Sequence, residues 1–136
     1  MDWKAKNQKN KAAVWGYWQR MNSAKPSEVK GICEKVFDKN VNWNGSQPFN
    51  QIHGIDALIL KFWEPLQTAF PDIKRVPHIL LGGMSANEEW VSGYGYLTGT
   101  FVHDWLGIPA TGKKTHINFG QFFVFHFAEI KLKICV

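Results

Sequence analysis

The sequence predicts an α+β domain, with three helices in its first half followed by a mostly antiparallel sheet. Three observations carry this. Between residues 10 and 70, apolar side chains recur at helical spacing. Residues 88–127 form two long runs rich in aromatic and β-branched residues. Between those runs, Leu106 to Lys114 holds Gly107, Pro109 and Gly112, which favour turn geometry over either regular structure. Helices then sheet, with no linker or repeat between them, describes one domain with helices packed on one face of an antiparallel sheet.

Taken in order, residues 1–11 are polar and are expected to fray at their beginning. A first helix is expected from Asn10 to Asn22, where Val14, Trp18 and Met21 follow the i, i+4, i+7 spacing. Pro26 suits the first turn of a second helix, whose apolar positions are Val29, Ile32, Cys33, Val36 and Phe37. After a turn-rich passage, only Val41-Asn42-Trp43 alternates well enough for a short strand. Gly54-Ile55-Asp56 opens a third helix that runs through Phe70. Pro65 lies inside its pattern, so a kink or early break is expected there. Strand character returns from Ile73 to Met84, and Ser85-Ala86-Asn87 turns the chain into the two long strands. Residues 131–136 form a short final strand.

Composition sets limits. A chain of 136 residues, 45% hydrophobic and 20% charged, is long enough for one folded core and argues against disorder. With 7 Trp and 10 Phe, it implies a thick core, an apolar cavity or a subunit interface. The net charge of +5 is concentrated near the start, in Lys4, Lys6, Lys9, Lys11 and Arg20. These lysines precede and flank an amphipathic helix, which reads as a solvated face rather than a nucleic-acid stripe. No run is apolar enough for a membrane-spanning helix, and a cytoplasmic protein is expected. Cys33 and Cys135 are far apart and lack ligand spacing, so neither a metal site nor a disulfide is expected.

Strand alternation assigns faces. Gly93, Gly95 and Gly99 share one face of the first long run; Trp90, Tyr94 and Tyr96 share the other and are candidates for a homodimer face. Spaced glycines imply a curved sheet, or room for a ligand or a packed helix. In the second run, Ile117, Phe119, Gln121, Phe123 and Phe125 share one face. A Gln among phenylalanines must have a partner, a water or a ligand, because a buried unpaired amide is costly.

The local wording resembles a known family. Phe62-Trp63-Glu64-Pro65-Leu66 leading to Ala69-Phe70-Pro71-Asp72, then Leu97-Thr98-Gly99-Thr100-Phe101, then Leu106-Gly107-Ile108-Pro109-Ala110-Thr111-Gly112-Lys113 are similar to segments of the SnoaL-like polyketide cyclases (ester cyclases), a branch of the nuclear-transport-factor-2-like (NTF2-like) superfamily. The resemblance spans about residues 10–136. It implies a conical, curved antiparallel sheet, in part mixed, with the three helices on its concave face closing an apolar pocket. It also implies a homodimer, no cofactor, and an intramolecular aldol closure driven by an acidic residue on the strand after the Gly-Lys turn. Here that strand reads Phe119-Gly120-Gln121-Phe122, so the acid position carries Gln121. A carboxamide can hydrogen-bond a carbonyl but cannot exchange a proton near neutral pH. The run Ala128-Glu129-Ile130-Lys131 also departs from the family's usual ending.

The expected ligand is therefore a small hydrophobic molecule. Gln121 is the candidate for polarising its carbonyl, and His78 is the candidate base, since imidazole titrates near neutral pH. Trp15, Trp18, Trp43, Trp63, Phe101, Phe119 and Phe123 are the candidate pocket residues. The other histidines have no metal spacing, and Glu88 and Glu89 read as a solvated strand start. Whether such a pocket is catalytic, or the fold serves as a dimeric adaptor, is open at this level.

Overall fold

The computed structural model describes residues 2–125 and, for the backbone, residues 132–135. Helix α1 (Trp3–Ser23) is longer than the spacing predicts. It starts early because Asp2 caps it, its side chain accepting from the backbone N–H groups of Lys4 and Ala5. A single 3₁₀ turn (Pro26–Glu28) leads into α2 (Val29–Val36). Two short strands follow, β1 (Asn42–Asn44) and β2 (Gln51–His53). The second has no periodicity to betray it and forms only because it pairs with β1.

The third helical segment runs as α3 (Ile55–Leu58), a wide π turn (Ile59–Trp63) and α4 (Glu64–Ala69). Pro65 neither ends the helix nor leaves it in regular α form. The helix widens just before it, and the Glu64 N–H reaches back to the Ile59 carbonyl. Such a wide turn relieves the crowding a proline imposes on the preceding carbonyls.

The sheet comprises β1, β2, β3 (Lys74–Ser85), β4 (Glu88–Thr100), β5 (Lys114–Phe125) and β6 (Leu132–Cys135), in the order β2-β1-β6-β5-β4-β3. All neighbours are antiparallel except β1 and β6, which are parallel, so the sheet is mixed. The ends of the expected final strand, and the run Ala128-Glu129-Ile130-Lys131, lie outside the described residues.

One face of the sheet is covered by the helices. The alternation in β4 and β5 holds: Val91, Leu97, Phe119, Phe123 and Phe125 point inward and are buried. Trp18, 1% exposed, lies at the centre of this core. A Cβ at Gly93 would collide with its indole ring. The glycine spacing on this strand therefore serves, at Gly93, the close approach of α1. At Gly95 the same added atom would collide with the backbone of β3.

One expectation is overturned. Glu89 is 7% exposed, not solvated. It faces α1, where Lys6 Nζ lies 2.8 Å and the Asn10 amide donates at 2.7 Å. Glu88 is exposed, as expected; Glu89 is covered because α1 begins about two turns earlier than the sequence pattern indicates.

Candidate functional site

Strand β3 is an edge of the sheet, so part of its backbone lacks a strand partner. At Arg75 this is supplied by α1. Asn22 accepts from the Arg75 N–H at 2.7 Å and donates to the Arg75 carbonyl at 3.0 Å. This clamp fixes Arg75 on the inward face, paired across the ladder with Leu97. Its side chain then crosses beneath the helices to β5.

There the Arg75 Nη1 donates to Gln121 Oε1 at 2.7 Å. The guanidinium lies over the rings of Phe119, 4.3 Å from the centroid, and Trp18, 5.0 Å away. Cation–π contacts of this kind, out of water, are worth roughly 2 kcal/mol. Among the described residues no carboxylate pairs with Arg75, because the ion pairs there are Lys6–Glu89 and Lys30–Asp56. Burial pushes the guanidinium down to about 10, and the nearby Tyr17 opposes that shift, so the group remains cationic at neutral pH.

Arg75 and Gln121 floor an apolar cavity of about 130 Å³. Its walls come from β1 (Trp43), the helical segment (Phe62, Leu66), the sheet (Leu97, Ile117, Phe119) and two loops (Phe49, Trp105). The aromatic walls pack on one another: Trp43 and Phe62 lie tilted, 4.8 Å apart, and Phe49 meets Phe62 edge to face at 5.2 Å. Trp105 is delivered by the tight turn at Leu106-Gly107, where both residues have positive φ and Trp105 and Ile108 exchange backbone hydrogen bonds. The Trp105 indole N–H is buried and has no partner.

The orientation of Gln121 follows from Arg75. A guanidinium only donates, so the amide oxygen must face it and the amide NH₂ is left to face the cavity. The cavity thus presents a cation and amide donors at its base, with Ser46 and Asn118 also in its lining, against aromatic walls. The described residues that line it include no carboxylate and no imidazole. Such an arrangement can stabilise negative charge on a ligand oxygen but has no group suited to exchanging a proton near neutral pH.

The structure brings together Gln121, Trp43 and Phe119 of the sequence candidates. Trp18 lies behind the floor, against Arg75 and Phe119, and Phe123 packs on Trp18 at 6.0 Å. Trp63 lines a separate, much smaller cleft of about 20 Å³. Phe101 stacks on Phe70 at 4.9 Å, in the core. Trp15 is 45% exposed on the outer side of α1. His78 sits at a bulge in β3 and packs on Tyr96 at 5.1 Å, on the sheet face away from the cavity. It does not line the cavity.

Sequence reasoning missed Arg75, Phe49, Phe62 and Trp105. Lys74-Arg75 reads as a charged strand start; only the register with β4 shows that Arg75 points inward. A larger depression, about 720 Å³, lies between α2 and α3 beside the Lys30–Asp56 ion pair. It is more open and lined about equally by polar and apolar surface, and the smaller, more apolar cavity is the better candidate site. Among the described residues there is no cluster of three or more metal-ligating side chains and no helix long and apolar enough to cross a membrane.

The sequence matches no family model and no curated protein. Solved structures do match. A protein of Jannaschia sp. CCS1, assigned as a SnoaL-like polyketide cyclase, superposes with a TM-score of 0.69 at 16% identity, over 95% of this chain and 84% of its own. SalBIII, an epoxide hydrolase/cyclase-like enzyme with a role in pyran ring formation in the polyether salinomycin, gives 0.69 at 18%, over 94% and 90%. An NTF2-like protein of Burkholderia pseudomallei K96243 gives 0.65 at 14%, over 92% and 88%. The fold is the NTF2-like α+β fold of the SnoaL-like cyclases.

Proposed function

We propose that this domain binds a small, largely apolar carbonyl compound in the cavity floored by Arg75 and Gln121. The single observation that carries the reading is a partly open, aromatic-lined cavity with a buried, charged hydrogen-bonding pair at its base. Gln121 holds the position where the SnoaL-like cyclases carry their acid, so the site is shared while the proton-exchanging group is replaced. Any turnover is then cofactor-free chemistry at a carbonyl, driven by electrostatic stabilisation of a developing oxyanion, with the proton carried by water or by the substrate itself. The proposed compartment is the cytoplasm, which suits the unpaired buried thiol of Cys33.

A thermal-shift screen against single-ring and fused-ring carbonyl compounds tests this. A ligand that binds the native state raises the melting temperature by mass action. A rise confined to compounds of cavity size supports the reading; a flat response across the panel removes it.

A second reading, a homodimeric adaptor, is favoured by the other face of the sheet. Tyr94 and Phe122 are nearly half exposed there, Trp90 packs on Phe122, and Tyr96 stacks on His116. Dimerisation through this face is compatible with a ligand in the cavity, because the two lie on opposite sides of the sheet.

A further inference from the structure

The sequence candidates leave Arg75 out, and the cyclase resemblance assigns it nothing. It is a buried cation with one side-chain hydrogen bond, to a neutral amide, and no carboxylate partner among the described residues. Charges buried in this way are ordinarily paired. The rings of Trp18 and Phe119 offset part of the cost but cannot accept the remaining N–H groups. Gln121, its oxygen committed to Arg75, offers the cavity only donors. Trp105, another wall, has an unpartnered indole N–H. Arg75, Gln121 and Trp105 thus bring more donors than acceptors to the cavity, whose lining also includes Ser46 and Asn118.

We propose that the cavity is selective for an anion: a carboxylate carried on an apolar body of about one aromatic ring. The carboxylate meets the Arg75 guanidinium and the Gln121 amide, and the ring lies among Trp43, Phe49 and Phe62. The size follows from the cavity volume of about 130 Å³, close to that of engineered apolar cavities of about 150 Å³ that accept benzene. Selectivity follows from charge-assisted hydrogen bonds, which are roughly twice as strong as neutral ones. This inference rests on the small-molecule reading above and narrows it.

The test compares two probes of equal shape, benzoate and benzamide, by calorimetric titration of the full chain at low salt. Benzoate is expected to bind about tenfold more tightly or better. In Arg75→Met, which replaces the cation with an apolar chain of similar length, that preference is expected to vanish. If benzamide binds the parent as well as benzoate does, the anion proposal is overturned while the small-molecule reading stands. If neither probe nor any other single-ring compound binds, both fall together. If Arg75→Met fails to fold, the comparison of the two probes on the parent chain decides alone; if it folds and still prefers benzoate, Arg75 is not the anion's partner and the proposal fails.

Discussion

Arg75 and Gln121 form a buried hydrogen bond of 2.7 Å between the edge strand and a central strand of the sheet. Each explains the other. The amide supplies the acceptor that the guanidinium lacks elsewhere, and the guanidinium fixes which end of the amide faces the cavity.

Replacing Gln121 by Leu leaves the cation with no hydrogen-bond acceptor. The variant should lose about 3 kcal/mol of stability, the cost of stranding a buried charge. Gln121→Glu supplies a carboxylate to the same donor and should be the more stable of the two. Urea denaturation of both variants checks the order, and the reverse order would mean that the bond does not matter to folding.

Gly93 is required by Trp18. Gly93→Ala places a methyl inside the space of the indole, which is held in the core and cannot swing away. Overpacking of this kind costs about 1–3 kcal/mol. The melting temperature should fall accordingly. Gly120 has no neighbour near its added Cβ, so Gly120→Ala is the matched control and should leave stability nearly unchanged.

Glu89 gives a pH dependence. Burial raises its carboxyl, but the hydrogen bonds and charge from Lys6 and Asn10 outweigh this and hold it below its ordinary value. A carboxyl depressed in the folded state stabilises the fold above its unfolded value of about 4.3 and loses that contribution as pH falls through the folded value. Glu89→Gln should therefore cost about 1 kcal/mol at pH 7. The gap from the parent should close below about pH 4. An equal gap at both ends of the range would assign the loss to packing instead.

The outer face should pair two subunits. Light scattering of the parent chain should report a dimer, and Tyr94→Glu with Phe122→Glu should shift it to a monomer that remains folded by circular dichroism. A parent that is monomeric at high concentration overturns the dimer.

Much of the architecture was legible in the residues. Helical spacing placed Val14, Trp18 and Met21 on one buried stripe. Alternation put Phe119, Gln121 and Phe123 on one buried face, and the Gly-rich turn marked the link between β4 and β5. The early start of α1 was missed although its signal was present, because the capping Asp2 precedes a run of lysines that masks the helix. The strand β2 was invisible for a different reason: three residues carry too little pattern, and only pairing with β1 makes them a strand.

The sequence by itself determined the class of fold, the inward set on β5 and the presence of one amide among phenylalanines. These are local patterns, repeated every two or about four residues, and the backbone's own periodicity enforces them. The tertiary structure alone decided what the amide meets. Arg75 and Gln121 are 46 residues apart, on strands with a third between them, and no local rule relates them. The Asn22 clamp on the edge strand aims Arg75 inward, the register with β4 keeps it there, and the helices then remove the water that would otherwise have satisfied its charge.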